Sequence, residues 1–418
     1  MTEKSGFRRL LGALGPGVTT GAADDDPSGI ATYSVVGAQS GTTFLWSALF
    51  IWPLMGCVQM MCARVGMVTG MGLAGAMRQK FPTWVVGVLA TALLVANVIN
   101  IAADLAGMGD AAHMLGAGPA TLYVWVFGLG ICGLTIRLRY HQIADTLKWL
   151  ALALFAYVIT AFLVHPQWSS VAYDALVPSL PHGSEGWGLL VAILGTTISP
   201  YLFFWQAGQE VEEDKAKGRH QLISRLGASR RQLADRRVDV AVGTFFSNVA
   251  MFFIILTTAV TLHQHGITKI GTSREAAEAL RPLAGDYAYF LYTIGIVATG
   301  LLAIPTLAGS AAYAVAETFD WPYGLDEKFK NATAFYSVFV VATIGGVVLD
   351  FLHVNPIKAL YWTAIINGVL APFLLVALLL VSTDRRIMQA QVSSSISRYV
   401  VMLTTVLMFV AAIAMVVL

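Results

Sequence analysis

The chain has 418 residues, of which 57% are hydrophobic and only 12% are charged, and its mean hydropathy is +0.69. Soluble domains carry roughly 25% charged residues, so this composition excludes an ordinary soluble protein and indicates a membrane protein. The formal net charge is only +2, which gives no reason to expect a nucleic-acid partner.

Hydropathy windows of about 19 residues predict eleven membrane spans. None of them alternates between apolar and polar residues as a membrane β-strand does, so the sequence predicts an all-α membrane protein. In chain order, the predicted spans cover residues 12–38, 44–64, 84–108, 119–136, 146–164, 187–209, 238–262, 286–317, 333–351, 358–381 and 399–418.

Basic residues fall almost entirely in alternate connections between these spans. Of the 26 lysines and arginines, only Lys269, Arg274, Arg281 and Lys358 lie on the opposite side. Cytoplasmic connections are enriched in basic residues, so we predict a cytoplasmic N-terminus. With an odd number of spans, the C-terminus is then expected outside, in a protein of the bacterial inner or plasma membrane.

The connection from Glu210 to Arg237 is the longest charged segment, beginning EVEED and ending RRQLADRR. We interpret it as a solvated cytoplasmic loop with some surface helix, because runs of charge usually face water. A regulatory role or contact with lipid headgroups remains open.

Predicted spans 1 and 6 each contain a proline beside small and polar residues. They read GVTTGAADDDPSGIATY and GLLVAILGTTISPYLFFWQAGQE. Pro27 and Pro200 lack an N–H group and their rings clash with the preceding turn, so each is expected to break its helix. The freed carbonyl groups then need protein, water or an ion as a partner.

Interrupted spans at corresponding positions of two halves are typical of transporters built from inverted repeats around a central site. Asp26, an acid within a predicted span, favours a binding site over a purely structural kink. We therefore predict a single membrane transport domain over residues 1–418. Its first five-helix repeat would cover residues 12–164, its second 187–381, and an additional helix 399–418.

Four segments, in this order, resemble the Nramp family of divalent-metal transporters. DPSGIATYSVVGAQSGTTFLW resembles the family's first-helix DPGN motif with its ATxxxxGAQxG run, and ARVGMVTGMGLAGAMRQKFP resembles the stretch after its second helix. NIAADLAG resembles the third-helix ATDLAE, and GTTISPYLFFWQ resembles the sixth-helix metal motif GATVMPHNLYLH. The resemblance covers nearly the whole chain. It implies a LeuT-like 5+5 inverted repeat with broken helices 1 and 6, and a transporter without a cofactor rather than an enzyme.

Carried over by position, the resemblance places the family's metal ligands at Asp26, Gly29, Thr196 and Ser199. Gly29 stands where the family has asparagine, Ser199 where it has methionine, and Thr196 where an alanine offers its carbonyl oxygen. Sulfur favours softer ions, so loss of the thioether should relax discrimination against Mg²⁺, which prefers oxygen ligands and sheds water reluctantly. The pattern looks like the Nramp-related magnesium transporters, and we predict Mg²⁺ and also Mn²⁺ uptake by alternating access.

Proton coupling is expected to be absent or weak. The family's sixth-helix histidines fall at Tyr201 and Gln206, and the glutamate of its third-helix motif falls at Gly107. Tyrosine titrates near pKa 10 and glutamine does not titrate. A proton-coupled Mn²⁺ or Fe²⁺ importer of the main Nramp type remains the alternative. An amino-acid carrier of the same fold is less favoured, because Asp26 would repel a substrate carboxylate.

Several further residues are candidates for supporting the metal or lining its pathway: Asp24, Asp25, Asp104, Thr197, Tyr201, Gln206 and Asn248. Adjacent helix positions point about 100° apart, so three consecutive aspartates cannot all face one cavity in a regular helix. Packing through hydrogen bonds and support of a bound metal remain equally open for Asp24 and Asp25. For Asn248 we favour hydrogen bonding between helices. The expected partners are the metal ion and the lipid bilayer.

Overall fold

The computed structural model describes residues 15–116, 118–137, 153–325, 327–352 and 354–418. Within these residues the chain is helical, with no strand. We number the spans as predicted from the sequence. The bounds are Pro16–Asp24 (1a) and Pro27–Ser40 (1b), Leu45–Thr69 (2), Thr83–Leu115 (3), Ala120–Arg137 (4), Phe155–Leu163 (the described part of 5), Gly183–Thr197 (6a) and Pro200–Ala216 (6b), Arg230–Thr261 (7), Ala288–Phe319 (8), Thr333–Leu349 (9), Pro356–Ser382 (10) and Ser395–Val417 (11).

Nine helices in the described ranges are long and apolar enough to cross a membrane, judged by length and composition. They correspond to predicted spans 2, 3, 4 and 6 to 11. Span 1 is divided into half-helices of 9 and 14 residues, each too short to count alone. The predicted start of span 5 at 146–152 lies outside the described residues, as do residues 12–14.

Shorter helices connect the spans: Leu73–Arg78, Trp168–Leu176, Leu222–Arg225, Ser273–Ala277, Arg281–Ala284 and Arg385–Met388. The proline breaks in spans 1 and 6 are confirmed, because Pro27 and Pro200 each begin the second half of a divided helix. Proline is favoured at this first helical position, where its missing N–H group would have no helical partner.

Glycines bring half-helix 1a into backbone contact with span 7. A Cβ atom at Gly21 would overlap the carbonyl group of Gly243, and one at Gly243 would overlap the carbonyl oxygen of Gly17. Small residues allow such close helix packing inside membranes, where helix association depends on van der Waals contact. The first half of the broken span 1 is thus held against span 7, which positions the break itself.

Candidate metal centre

The break in span 1 is centred on Asp25 and Asp26. Half-helix 1a ends at Asp24, and Asp26 is in an extended conformation (φ −72°, ψ 171°) as the N-cap of half-helix 1b. Its Oδ1 atom accepts a hydrogen bond from the backbone N–H of Gly29 at 2.6 Å. Aspartate is a preferred N-cap because its carboxylate satisfies an N–H group that has no helical partner. The Asp26 side chain is buried at this end of 1b.

The break in span 6 also has an extended polar N-cap residue, but its side chain bonds back to half-helix 6a and does not cap half-helix 6b. Half-helix 6a ends at Thr197, and Ser199 is the extended N-cap residue that precedes Pro200. The Ser199 hydroxyl donates to the carbonyl oxygens of Thr196 at 2.7 Å and Gly195 at 2.9 Å. Each of these oxygens retains a lone pair, so a cation can still bind there.

The two breaks meet at Gly29. A Cβ atom at Gly29 would lie 3.2 Å from Thr196 Oγ1 and 3.5 Å from Asp26 Oδ1. The Thr196 hydroxyl is buried and has no hydrogen-bond partner in the described part of the chain. The structure therefore brings Asp26, Gly29 and Thr196 together, and a hydroxyl from span 6 lies beside the position where the resemblance implies a missing amide.

Tyr201 and Thr197 tie the halves of the broken helices to their neighbours. The Tyr201 hydroxyl donates to the carbonyl oxygen of Ala23 at 3.0 Å, near the end of half-helix 1a. Thr197 Oγ1 shares a 3.0 Å hydrogen bond with the Tyr33 hydroxyl. Tyr201 thus satisfies a carbonyl group that the break would otherwise leave without a partner.

Asp24 and Asp25 face span 7. The Ser247 hydroxyl donates to Asp24 Oδ2 at 2.6 Å and lies 3.3 Å from Asp25 Oδ1. Asn248 donates to the carbonyl oxygen of Thr244 at 2.8 Å and contacts the sulfur of Met55 at 3.3 Å. The bond to Thr244 lies within span 7, whereas the contact with Met55 reaches span 2.

Asn100 in span 3 contacts Asp26, although the sequence reasoning did not select it. Its Nδ2 atom donates to Asp26 Oδ2 at 3.2 Å. Asp104, one turn further along the same helix, is fully buried, and neither of its carboxylate oxygens has a partner among the described residues. The spacing of Asn100 and Asp104 in a strongly apolar helix was a usable signal, because residues four apart share one helix face.

Gln206 leads from the broken helix toward a second buried polar cluster. Its Nε2 atom donates to Glu210 Oε1 at 2.8 Å. The interpretation of residues 210–237 as a solvated loop is wrong at both ends: half-helix 6b continues to Ala216, span 7 begins at Arg230, and Glu210 and Arg236 are buried. A run of charge here forms ion pairs inside the bundle.

Arg236 is the centre of this cluster. Its Nε atom lies 2.7 Å from Glu210 Oε1, its Nη1 atom lies 2.5 Å from Asp239 Oδ2, and its Nη2 atom pairs with Glu213. Three carboxylates from half-helix 6b and span 7 therefore surround one guanidinium group, whose planar array of donors suits such pairing.

Asp239 extends the cluster to the start of half-helix 1a. Its carboxylate accepts backbone hydrogen bonds from Gly15 and Gly17 at 2.8 Å and from Val18 at 3.1 Å. These N–H groups begin the helix and have no intrahelical partner, so a carboxylate there is favoured by both hydrogen bonding and the helix dipole. Arg236 and Asp239 thereby connect half-helix 1a with half-helix 6b.

A cation beside Asp26 would be held by few charges. Across the described ranges, no three histidine, cysteine, aspartate or glutamate side chains are placed to hold one metal ion together. The described contacts at Asp26 are neutral: the Thr196 hydroxyl lies on the other side of Gly29, and the Asn100 amide donates its N–H group to Asp26 Oδ2. Such a set suits a hard cation that keeps part of its water shell.

Comparisons with known proteins agree with this architecture. The family model described as Nramp, natural resistance-associated macrophage protein-like, matches residues 17–418. A divalent metal cation transporter MntH of Acidiphilium cryptum is 27% identical over 405 residues, which cover 93% of this chain and 86% of that protein. An MntH of Caldanaerobacter subterraneus is 24% identical over 402 residues, covering 94% and 89%.

Solved transporter structures show the same fold. The manganese transporter of Eremococcus coleocola, in complex with an aromatic bis-isothiourea compound, superposes with a TM-score of 0.75 at 17% identity, covering 99% of this chain and 87% of that one. MhsT in complex with L-phenylalanine superposes with a TM-score of 0.55 at 13% identity, covering 99% and 97%. The predicted all-α, LeuT-like membrane fold is confirmed.

Proposed function

Because the chain belongs to the Nramp family, whose members are transporters rather than enzymes, we propose that it carries divalent metal cations across a membrane, with Mg²⁺ preferred and Mn²⁺ accepted. Transport would proceed by alternating access between the two sides of the bundle. The two five-helix repeats proposed from the sequence would move around the breaks in spans 1 and 6.

The observation that carries the proposal is the oxygen-rich surrounding of Asp26. Its carboxylate lies where the two helix breaks meet, beside the Thr196 hydroxyl and the Asn100 amide. Ser199 provides a hydroxyl at the position where the family resemblance implies a methionine sulfur. Oxygen ligands suit Mg²⁺ and Mn²⁺, whereas a sulfur ligand would favour softer ions.

We propose weak or no proton coupling because the residues at the positions of the family's two sixth-helix histidines do not titrate near neutral pH and hold other contacts. Tyr201 donates its hydroxyl to a helix-end carbonyl, and Gln206 donates to Glu210. Neither is a titrating group near neutral pH. A proton-coupled Mn²⁺ or Fe²⁺ importer would need a different set of carriers.

An amino-acid carrier of this fold is disfavoured by the same site. Such carriers use free N–H groups of broken helices to bind the substrate carboxylate. Here the N–H of Gly29 is occupied by Asp26 Oδ1 at 2.6 Å. A substrate carboxylate would meet a buried side-chain carboxylate instead of a free donor.

Uptake by reconstituted liposomes tests the proposal. We expect Mg²⁺ and Mn²⁺ uptake by the unmodified protein, with or without a pH gradient, and loss of uptake in Asp26→Ala. The matched control is Asp286→Ala, because Asp286 has a 97% exposed side chain in the short helical turn before span 8. Normal Mg²⁺ flux in Asp26→Ala would reject the assignment of Asp26, and absence of flux in the unmodified protein would reject the function.

A further inference from the structure

One face of span 3 carries three buried polar residues: Asn97, Asn100 and Asp104. All three side chains are fully buried, in a helix that is otherwise strongly apolar. Their spacing of three and four residues places them on one side of the helix. Polar residues buried in a membrane helix are unfavourable unless they have hydrogen-bonding partners, and they often mark a functional site.

The partners of Asn97 and Asn100 differ although the residue type is the same. Asn97 Nδ2 donates to the carbonyl oxygen of Leu307 and to the Ser310 hydroxyl, both at 2.8 Å, which ties span 3 to span 8. Among the described residues, Asn100 Nδ2 donates only to Asp26 Oδ2, at 3.2 Å. Asn97 therefore has a structural partner, whereas Asn100 faces the candidate metal centre.

The oxygen of Asn100 is available for a ligand. In the described part of the chain Asn100 Oδ1 is buried and accepts no hydrogen bond. A buried acceptor without a partner is unfavourable, so such an atom calls for a ligand. Asp104 lies on the next turn of this face, and both of its carboxylate oxygens are also buried without a hydrogen-bond partner among the described residues.

We propose that Asn100 is a ligand of the transported cation and supplies, from span 3, the amide oxygen that Gly29 lacks in span 1. Without an ion, the Asn100 N–H group bonds to Asp26 Oδ2. A half-turn about the last side-chain bond exchanges the nitrogen and the oxygen, so the same amide then presents Oδ1 to a cation at Asp26. A neutral oxygen ligand there favours a hard divalent ion over a soft one.

This inference rests on the proposed function and concerns which residues recognise the ion. A merely positioning role for Asn100, in which its N–H group orients Asp26, predicts a different pattern of variants. Asn100→Leu removes both donor and oxygen and keeps the branched shape and the number of side-chain heavy atoms. Asn100→Asp removes the donor but keeps an oxygen ligand, so it separates the two roles.

The experiment is titration of Mg²⁺ and Mn²⁺ into the purified full-length protein by isothermal calorimetry. We expect Asn100→Leu to weaken Mg²⁺ binding by about 10- to 100-fold, the usual effect of removing a group that contacts or supports a metal ligand. Asn100→Asp should bind Mg²⁺ at least as tightly as the unmodified protein. The matched control is Asn97→Leu, on the same helix and equally buried, which should leave Mg²⁺ affinity unchanged.

The outcomes are distinguishable. Unchanged binding by Asn100→Leu, or equally weak binding by Asn100→Asp and Asn100→Leu, would overturn the inference while leaving the transport function intact. Absence of Mg²⁺ and Mn²⁺ binding to the unmodified protein would overturn both. Size-exclusion chromatography identifies any variant that fails to fold. If Asn100→Leu does not fold, Asn100→Asp decides alone, because weak Mg²⁺ binding by folded Asn100→Asp would overturn the inference.

Discussion

Replacing Arg236 by methionine is expected to release half-helix 1a from the rest of the bundle. The Arg236 side chain is 8% exposed, and its partners Glu210 and Asp239 are 2% and 0% exposed. Methionine retains an apolar chain of similar length but removes the guanidinium group. Asp239 would still cap half-helix 1a, but without the positive charge that connects it to half-helix 6b.

The size of the expected shift in docking follows from the carboxylates that lose their arginine partner. Removing one partner of a buried ion pair costs about 3–5 kcal/mol, because the other charge is left uncompensated. Movement of half-helix 1a away from span 7 would let water reach Asp239, so this free energy favours the undocked helix. Since 1.4 kcal/mol is a factor of ten, a loss of about 3 kcal/mol shifts the docking equilibrium by roughly 100-fold.

Cysteine labelling measures this shift. Thr20 in half-helix 1a is 1% exposed, and cysteine replaces it with little change of volume. In a background without the three native cysteines, Thr20→Cys should react slowly with a maleimide, and Arg236→Met should raise its labelling rate. The control is Arg231→Met: its side chain is 78% exposed, and exposed ion pairs contribute about 0–1 kcal/mol. Equal labelling of Thr20→Cys in the two arginine variants would refute the role of Arg236 in docking.

Three further predictions concern selectivity, coupling and packing. Ser199→Met should raise the affinity for Mn²⁺ or Cd²⁺ relative to Mg²⁺ in calorimetric titrations, since sulfur favours softer ions; an unchanged ratio counts against the ligand argument. Liposomes with a pH-sensitive dye should show no acidification on metal uptake, and a metal-dependent proton flux would reject uncoupled transport. Gly37→Ala should lower the free energy of unfolding by about 1–3 kcal/mol, and with it the melting temperature, because a Cβ there overlaps Thr258 Oγ1. Gly133→Ala, which meets no atom within 4 Å, should be neutral, and equal melting temperatures would contradict the packing argument.

Local chemistry made the helix breaks predictable, whereas the ion pairs depend on contacts distant in sequence. Proline cannot continue a helix, so Pro27 and Pro200 located both breaks directly. The burial of Arg236 could not be inferred in this way, because its partner Glu210 is 26 residues away and Asp239 in turn binds Gly15, 224 residues away. A dense run of charge is the same in sequence whether it faces water or pairs inside the bundle.

The bundle contains two groups of carboxylates, buried except for the half-buried Glu213, and the groups differ in how their charge is balanced. Glu210, Glu213 and Asp239 share the guanidinium of Arg236. In the described ranges, Asp26 and its carboxylate neighbours have hydrogen bonds from Ser247, Gly29 and Asn100 but no ion pair with a basic side chain.

The protein can therefore place an arginine among buried acids where a permanent contact is needed. At the break of span 1, no basic side chain of the described residues pairs with the carboxylate of Asp26. A buried charge is unfavourable without a partner, and a permanently bound arginine would block the exchange that transport requires. In the proposed transport cycle, this absence of a basic partner lowers the stability of the ion-free site and lets an incoming dication bind there and leave again.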